Sequence, residues 1–137
     1  MSSQYPDPVV IFGATSESGR ELARRLRADG QRVIGVSRGS RDTAPLVELG
    51  VECRTADARD AAQVKTVFAD LGRPGAVVSI LAAGLNGDPA IESTGNINVI
   101  DAAEAAGAGR FVLVTTVGCG DSYAVAPDLS KKLLAKI

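Results

Sequence analysis

The sequence predicts an α/β fold with a doubly wound parallel sheet of about five strands, ordered 3-2-1-4-5. Short apolar runs alternate with helical patterns along all 137 residues. These runs are apolar throughout, which is typical of parallel strands that helices cover on both faces. Glycines lie at many of the boundaries between these runs and the helical patterns. Right-handed crossovers between such strands give the predicted order.

Each element follows from its local pattern. The apolar runs predict strands at 9–12, 32–37, 51–55, 76–81 and 110–115. Helical spacing predicts helices at 17–29, 43–49, 60–71 and 93–106. Residues 128–137 are predicted to begin a last helix. Asp60 is the predicted N-cap of the third helix, while Gly30, Gly50 and Gly107 mark helix ends.

Helical spacing also predicts which residues are buried. The helix at 93–106 is predicted to bury Ile97, Ile100 and Ala103. The helix at 17–29 is predicted to have an apolar face and an opposite, arginine-rich face: Leu22, Ala23 and Leu26 on the first, and Arg20, Arg24, Arg25 and Arg27 on the second.

Composition excludes several classes of function. The chain has 15 Lys and Arg against 16 Asp and Glu, which argues against a nucleic-acid binder or a polybasic membrane anchor. Aromatic residues are scarce and Trp is absent, so stacking surfaces for single strands are not expected. The absence of His removes histidine bases, Ser-His-Asp triads and histidine metal sites, and no metal site is predicted.

The cysteines, the N-terminal residues and the length of the apolar runs predict a soluble, cytoplasmic protein. Cys53 and Cys119 lie far apart in sequence and are expected to be free thiols in a reducing compartment. The N-terminal residues are polar and lack an apolar signal core. No apolar run approaches the length that a membrane span requires.

The loop after the first strand predicts a dinucleotide site. It lies between a strand and a helix, which is the context that a dinucleotide-binding loop requires. Gly13 permits the tight exit from the strand, and Gly19 permits close packing of helix on sheet. The helix N-terminus offers backbone N–H groups to a pyrophosphate. The predicted cofactor-binding residues of this loop are Gly13, Thr15, Ser16, Glu17, Ser18 and Gly19.

Two residues of this loop leave alternatives open. Ser16 stands where a middle glycine is usual, so its Cβ crowds the pyrophosphate or its hydroxyl donates to it. Glu17 adds a negative charge near the phosphates unless its side chain points to solvent. An ordinary turn into a helix is the alternative to a dinucleotide site as a whole.

The end of the second strand favours NADP(H) over NAD(H). A carboxylate there would hold the adenosine ribose and repel a 2′-phosphate, but no acidic residue occurs before Asp42. Arg38 instead offers a planar fork to a phosphate, and Ser37, Ser40 and Arg41 add donors nearby. A solvated surface arginine is the alternative interpretation of Arg38.

Further candidates follow the other strands, because ligands of such sheets lie beyond the carboxyl ends of the strands. Asp57 can accept a hydrogen bond from the adenine amine, or it is a capping or loop carboxylate. Thr115 and Thr116 can face the nicotinamide ribose or a substrate, or they bond only to backbone. The fourth strand is followed by small residues that let a cofactor approach: Ala82, Ala83 and Gly84.

These motifs in their order resemble an atypical short-chain dehydrogenase/reductase of the NmrA-like, NAD(P)H-binding Rossmann group. The resemblance rests on residues 9–20, 36–38, 98–107 and 110–116. It implies that the loop at 13–19 binds the pyrophosphate, Arg38 the 2′-phosphate, and residues 82–84 and 115–118 the ribose and nicotinamide. Members of this group include reductases, epimerase-like enzymes and redox sensors that do not turn the cofactor over.

The chain departs from the wider superfamily in two respects. It has no Tyr-x-x-x-Lys pair, and Tyr123 is a weak candidate for a catalytic role because its spacing from Lys131 does not fit adjacent helical turns. The family usually continues further, and the fifth strand would form an apolar sheet edge, which is usually covered. We therefore expect an N-terminal portion of a longer protein, or a second chain at that edge.

Three functions are compatible with these features. The first is an NADP(H)-dependent reductase that transfers hydride to a small organic acceptor, with Thr115, Thr116 and Tyr123 as weak catalytic candidates. The second is a non-catalytic dinucleotide sensor, and the third is an epimerase-like protein. A homodimer is compatible with all three.

Overall fold

The computed structural model describes residues 6–84 and 86–115, which form a single parallel sheet flanked by helices. The sheet order is β3-β2-β1-β4-β5, which confirms the predicted order. The elements in chain order are β1 (Val9–Phe12), α1 (Glu17–Ala28), β2 (Val33–Ser37), α2 (Ala44–Glu48), β3 (Glu52–Thr55), α3 (Ala61–Phe68), β4 (Ala76–Ser79), a 3₁₀ turn (Pro89–Ile91), α4 (Thr94–Ala105) and β5 (Phe111–Leu113).

The central strand β1 pairs with β2 on one side and with β4 on the other, both in parallel. Its side chains alternate between the two faces of the sheet. Val10 and Phe12 belong to the core that α3 and α4 cover, where the rings of Phe12 and Phe68 stack 6.0 Å apart. Val9 and Ile11 belong to the core that α1 and α2 cover. The sheet is therefore doubly wound.

Most elements are one to three residues shorter than their apolar or helical patterns predict. Asp60 is the N-cap of α3, as predicted, and its carboxylate accepts from the backbone N–H groups of Ala62 and Gln63. However, α3 ends at Phe68 and the chain reaches Leu71 through a turn. The fourth and fifth strands are likewise shorter at their carboxyl ends than the predicted 76–81 and 110–115.

The predicted buried face of α4 is wrong in two of its three residues. Ile97 and Ile100 are 58% and 38% exposed, and only Ala103 is buried as predicted. The helix instead packs through smaller residues: Gly95, Val99, Ala102 and Ala103. A Cβ atom on Gly95 would lie 3.2 Å from that of Ala58, so even the smallest side chain is tight at this approach.

Arg27 differs from the other residues of the predicted arginine-rich face of α1. It is half-buried, and its guanidinium donates to the carbonyl oxygens of Leu49 and Gln31 at 3.1 and 2.9 Å. These carbonyls lie after α2 and before β2, so Arg27 links α1 to its neighbours. The other three arginines of that face, Arg20, Arg24 and Arg25, are exposed.

The two edge strands differ in character. The edge strand β3 is not apolar throughout, since Glu52 and Arg54 alternate along it. At the opposite edge, β5 exposes Val112 and Leu113 by 40% and 42%, which agrees with the expected apolar edge. No helix within the described ranges has the length and apolarity needed to cross a membrane.

Candidate functional site

A cleft of roughly 240 Å³ lies beyond the carboxyl ends of β1, β2, β3 and β4. In a sheet of this order β2 and β3 extend to one side of β1 while β4 and β5 extend to the other, and α/β sheets bind ligands where the strand order reverses in this way. The cleft is lined by Phe12, Gly13, Thr15, Ser16, Val36, Ser37, Arg38, Ser40, Arg41, Ala56, Asp57, Ala58, Ile80, Leu81, Ala82, Ala83, Gly84 and Ile91.

The tight exit from β1 depends on two glycines. Gly13 has a φ of 82°, and a Cβ atom there would lie 2.4 Å from the carbonyl oxygen of Ile80. A Cβ atom on Gly19 would lie 2.4 Å from the carbonyl oxygen of Gly13. The backbone of this loop therefore lies against both β4 and α1 at distances that exclude any side chain.

Ser16 caps α1 with its side chain. Its hydroxyl donates to the carbonyl oxygen of Gly13 at 2.8 Å and accepts from the backbone N–H of Gly19 at 3.0 Å. The hydroxyl proton is thus engaged within the loop, although Ser16 also lines the cleft. The bond from Gly19 is the typical cap of an N-cap serine, and the bond to Gly13 holds the same hydroxyl within the loop.

The start of α1 presents unpaired donors. No acceptor among residues 6–84 and 86–115 receives the backbone N–H groups of Thr15, Glu17 and Ser18. Free N–H groups and the positive end of the helix dipole together favour an anion. This arrangement fits the pyrophosphate of a dinucleotide.

The other predicted residues of the loop lie outside the cleft lining. The side chain of Glu17 is exposed and lies in a separate groove between α1 and α2, beside Arg20 and Pro45. Ser18 is exposed and Gly19 is buried. The carboxylate of Glu17 therefore does not occupy the cleft.

Two arginines line the cleft at the end of β2. The side chains of Arg38 and Arg41 are exposed there beside Ser37 and Ser40. Neither guanidinium forms a hydrogen bond or an ion pair within the part of the chain that the structure describes. Two positive groups that form no ion pair with a described residue can receive an anion at this position.

Asp57 is the carboxylate among the described lining residues, and Arg59 holds it. The Arg59 guanidinium donates to the two Asp57 oxygens at 3.0 and 2.6 Å, and its backbone N–H donates at 3.0 Å. These bonds from Arg59, with a smaller contribution from the charge of Arg38, lower the pKa of Asp57 to about 2. Asp57 is therefore ionised, and acts only as an acceptor, at neutral pH.

The remaining candidates separate into three groups. Ala82, Ala83 and Gly84 line the cleft after β4. Thr115 is exposed but does not line it. Thr116 and Tyr123 lie outside the described residues. Within residues 6–84 and 86–115, no group of three or more Cys, Asp or Glu side chains is arranged to hold a metal ion.

Sequence reasoning missed the apolar lining of the cleft and the partners of Asp57. The apolar lining residues are Phe12, Val36, Ala56, Ala58, Ile80, Leu81 and Ile91. Most of them end or follow strands, and this position in the sequence is the feature from which their place in the cleft could be predicted. Arg59 also pairs with Asp88 at 2.7 Å. No local pattern marks that contact, because the two residues are 29 positions apart.

Fold and cleft together define a Rossmann-type nucleotide-binding domain. Residues 13–136 match the model of the family described as NAD(P)H-binding, so the chain belongs to that NAD(P)H-binding family. This confirms the part of the sequence resemblance that concerns fold and cofactor class. A search of curated proteins found no match.

Solved structures described as a reductase and as sugar epimerases share the fold. ChuY of Escherichia coli O157:H7, described as an anaerobillin reductase, is 30% identical over 95% of this chain and 61% of its own, with a TM-score of 0.78. ChuY of E. coli strain CFT073 is 30% identical over 94% of this chain and 58% of its own, with a TM-score of 0.70. This chain therefore spans about three fifths of the length of those relatives.

A third structure contains a bound dinucleotide. WbmH of Bordetella bronchiseptica, solved with NAD⁺, is 25% identical over 75% of this chain and 36% of its own, with a TM-score of 0.61.

Proposed function

We propose that this chain binds NADP(H) and belongs to a reductase that passes hydride to a small organic acceptor. The observation that carries the proposal is the pair of arginines at the end of β2, Arg38 and Arg41, which line the cleft without a described partner. A 2′-phosphate carries the charge and the oxygen geometry that such guanidinium groups bind.

Each part of the cofactor has matching residues in the proposed complex. The N–H groups at the start of α1 bind the pyrophosphate, and Arg38 binds the 2′-phosphate. Asp57 accepts from the adenine amine, beside the apolar side chains of Ala58 and Ile91. The small residues at 82–84 give the nicotinamide half room to approach. The cofactor supplies the hydride, while the protein positions it and excludes competing reactions.

The acceptor is proposed from the similarity to ChuY. That enzyme is described as an anaerobillin reductase and shares 30% identity with nearly all of this chain. Anaerobillin is therefore the first acceptor to test, as one member of the proposed class of small organic acceptors. The NmrA-like subgroup, a cytoplasmic location and a homodimer stay predictions from the sequence.

A redox sensor that binds the dinucleotide without turnover is the second candidate. The sequence favours it through the absence of His and of a Tyr-x-x-x-Lys pair, which removes the usual proton donors of such reductases. The two functions share the cofactor site and differ in whether NADPH is consumed.

Calorimetric titration with NADPH, NADP⁺ and NADH tests the cofactor, and NADPH oxidation in the presence of anaerobillin tests the acceptor. We expect NADPH to bind at least about tenfold more tightly than NADH, which is the contribution of one hydrogen bond to a charged group. Equal affinities would contradict the NADP(H) preference. Tight binding without oxidation of NADPH by any acceptor would favour the sensor.

A further inference from the structure

Arg59 connects two separate walls of the cleft. Its guanidinium holds both oxygens of Asp57, which follows β3, and its remaining terminal nitrogen donates to Asp88 at 2.7 Å. Asp88 in turn caps the 3₁₀ turn by accepting from the backbone N–H of Ala90 at 2.9 Å. That turn contains Ile91, which lines the cleft as Asp57 does.

These ion pairs contribute little to stability, since the side chains of Arg59, Asp57 and Asp88 are 36%, 29% and 47% exposed. Their distinctive property is geometric. A planar fork across both oxygens of a carboxylate fixes the plane of that carboxylate, whereas a single contact leaves it free to rotate. Arg59 and Asp88 do not themselves line the cleft.

We propose that Arg59 is a positioning residue that makes the cleft selective for adenine, by holding the Asp57 carboxylate towards the base and Ile91 against it. This inference rests on the proposed function, since it requires a dinucleotide in the cleft. With three bonds from Arg59, the Asp57 carboxylate keeps acceptor capacity for one further donor. The exocyclic amine of adenine is a donor of the required kind.

Hypoxanthine tests this chemistry because it differs from adenine at the relevant atoms. It carries a carbonyl oxygen in place of the amine, so a fixed carboxylate meets an acceptor rather than a donor. Two like acceptors brought together lose the hydrogen bond and repel each other. A carboxylate that can rotate escapes this repulsion and discriminates less.

The experiment compares affinities for NADPH and for its hypoxanthine analogue, by calorimetry on the whole chain. We expect the wild type to prefer NADPH by about tenfold or more. Arg59→Gln is expected to reduce that preference to within about threefold. Arg59→Lys is expected to keep only part of the wild-type preference, because an ammonium group cannot donate to both carboxylate oxygens in one plane. Asp57→Asn is expected to shift the ratio towards the analogue, since its amide can donate to the carbonyl.

Arg54→Gln is the matched control. Arg54 lies in β3 and also joins two carboxylates, Glu52 and Asp70, but neither of these lines the cleft as Asp57 does. We expect this variant to lose thermal stability while keeping the wild-type affinity ratio. If Arg54→Gln also lost the preference for NADPH over the analogue, the inference would be overturned. Breaking any ion pair near β3 would then be enough to reduce that preference.

The remaining outcomes are distinguishable. A wild type that binds NADPH and the analogue equally overturns the selectivity and leaves the proposed function standing. An Arg59→Gln variant that keeps the wild-type ratio overturns the role of Arg59. A wild type that binds neither cofactor overturns both proposals. Circular dichroism and thermal melting establish that each variant is folded.

Discussion

Gly13 and Ile80 lie so close together that a Cβ atom on Gly13 would be 2.4 Å from the carbonyl oxygen of Ile80. The contact joins the turn after β1 to the chain leaving β4, and both residues line the cleft. Because Ile80 contributes backbone here, no side-chain rotation can relieve the contact. The close approach of these two segments therefore depends on the absence of a side chain at position 13.

Gly13→Ala is expected to lower both stability and cofactor affinity. The substitution combines a positive φ of 82° with a backbone clash. We expect a loss of about 2–4 kcal/mol in the free energy of unfolding, from the left-handed conformation and the overpacking together. Urea unfolding measures the first effect, and NADPH titration of the folded fraction measures the second.

Gly72→Ala separates these two causes. Gly72 also has a positive φ, 64°, but an added Cβ there would meet nothing within 4 Å, and it lies outside the cleft. We expect a loss of about 1–2 kcal/mol from the backbone conformation alone, with unchanged affinity for NADPH. Equal losses of stability in the two variants would contradict the close contact with Ile80.

Arg38→Ala is expected to weaken NADPH binding roughly 10- to 100-fold, since it removes charge-assisted hydrogen bonds worth about 1.5–3 kcal/mol. Binding of NADH, which lacks the 2′-phosphate, should change far less. Parallel calorimetric titrations measure both affinities. Arg110→Ala is the control, because Arg110 is an exposed arginine at the opposite end of the sheet, before β5. An equal loss in that variant would show a general charge effect instead of a specific contact.

The sheet and the location of the site could be predicted because their signals are local. An apolar run such as 9–12 is long enough for a buried strand and too short for a helix, and the alternation of such runs with helices restricts the strand order. The carboxyl ends of those strands then place Gly13 and Arg38 at one edge without any knowledge of side-chain contacts.

The packing of α4 and the network around Arg59 could not be predicted in the same way. Two stripes of α4 have helical spacing, and hydrophobicity favours the one with Ile97 and Ile100. The close approach to Ala58 selects the stripe with Gly95 instead. The pair of Arg59 with Asp88 depends on where two distant loops meet, which no local pattern reveals.

Ser16→Ala is expected to lower stability and to leave cofactor affinity nearly unchanged. The hydroxyl caps α1 through its bonds to Gly13 and Gly19, so its loss should cost about 1 kcal/mol in the free energy of unfolding. Because those bonds already engage the hydroxyl, NADPH affinity should change by less than about threefold, below the contribution of a typical hydrogen bond. Urea unfolding and calorimetry measure the two effects.

Ser16→Gly provides the comparison, since a glycine at an N-cap costs only a few tenths of a kcal/mol and removes the Cβ atom. If that Cβ crowds the pyrophosphate, this variant should bind NADPH more tightly than the wild type. A large loss of affinity in Ser16→Ala with unchanged stability would instead mean that the hydroxyl turns to donate to the cofactor.

The ionisation of Asp57 depends mainly on Arg59. The bonds from Arg59 lower the pKa of this carboxyl from an ordinary 3.8 to about 2. Since the pKa is lower in the folded state, the contribution of Asp57 to stability is fully present above about pH 4 and is lost as the pH falls towards 2. Adenine selectivity should therefore be constant across neutral and mildly acidic pH.

Carboxyl NMR titration measures this dependence directly, and two arginine variants act as controls for each other. Arg59→Gln should raise the pKa of Asp57 most of the way to its ordinary value, while the charge of Arg38 still keeps it slightly lower. Arg54→Gln should raise the pKa of Asp70, which Arg54 lowers through a hydrogen bond, and leave Asp57 unchanged. If Asp57 titrated identically in the wild type and in Arg59→Gln, the fork between the two side chains would be absent in solution. The carboxylate would then be free to rotate, and Arg59 could not position it against adenine.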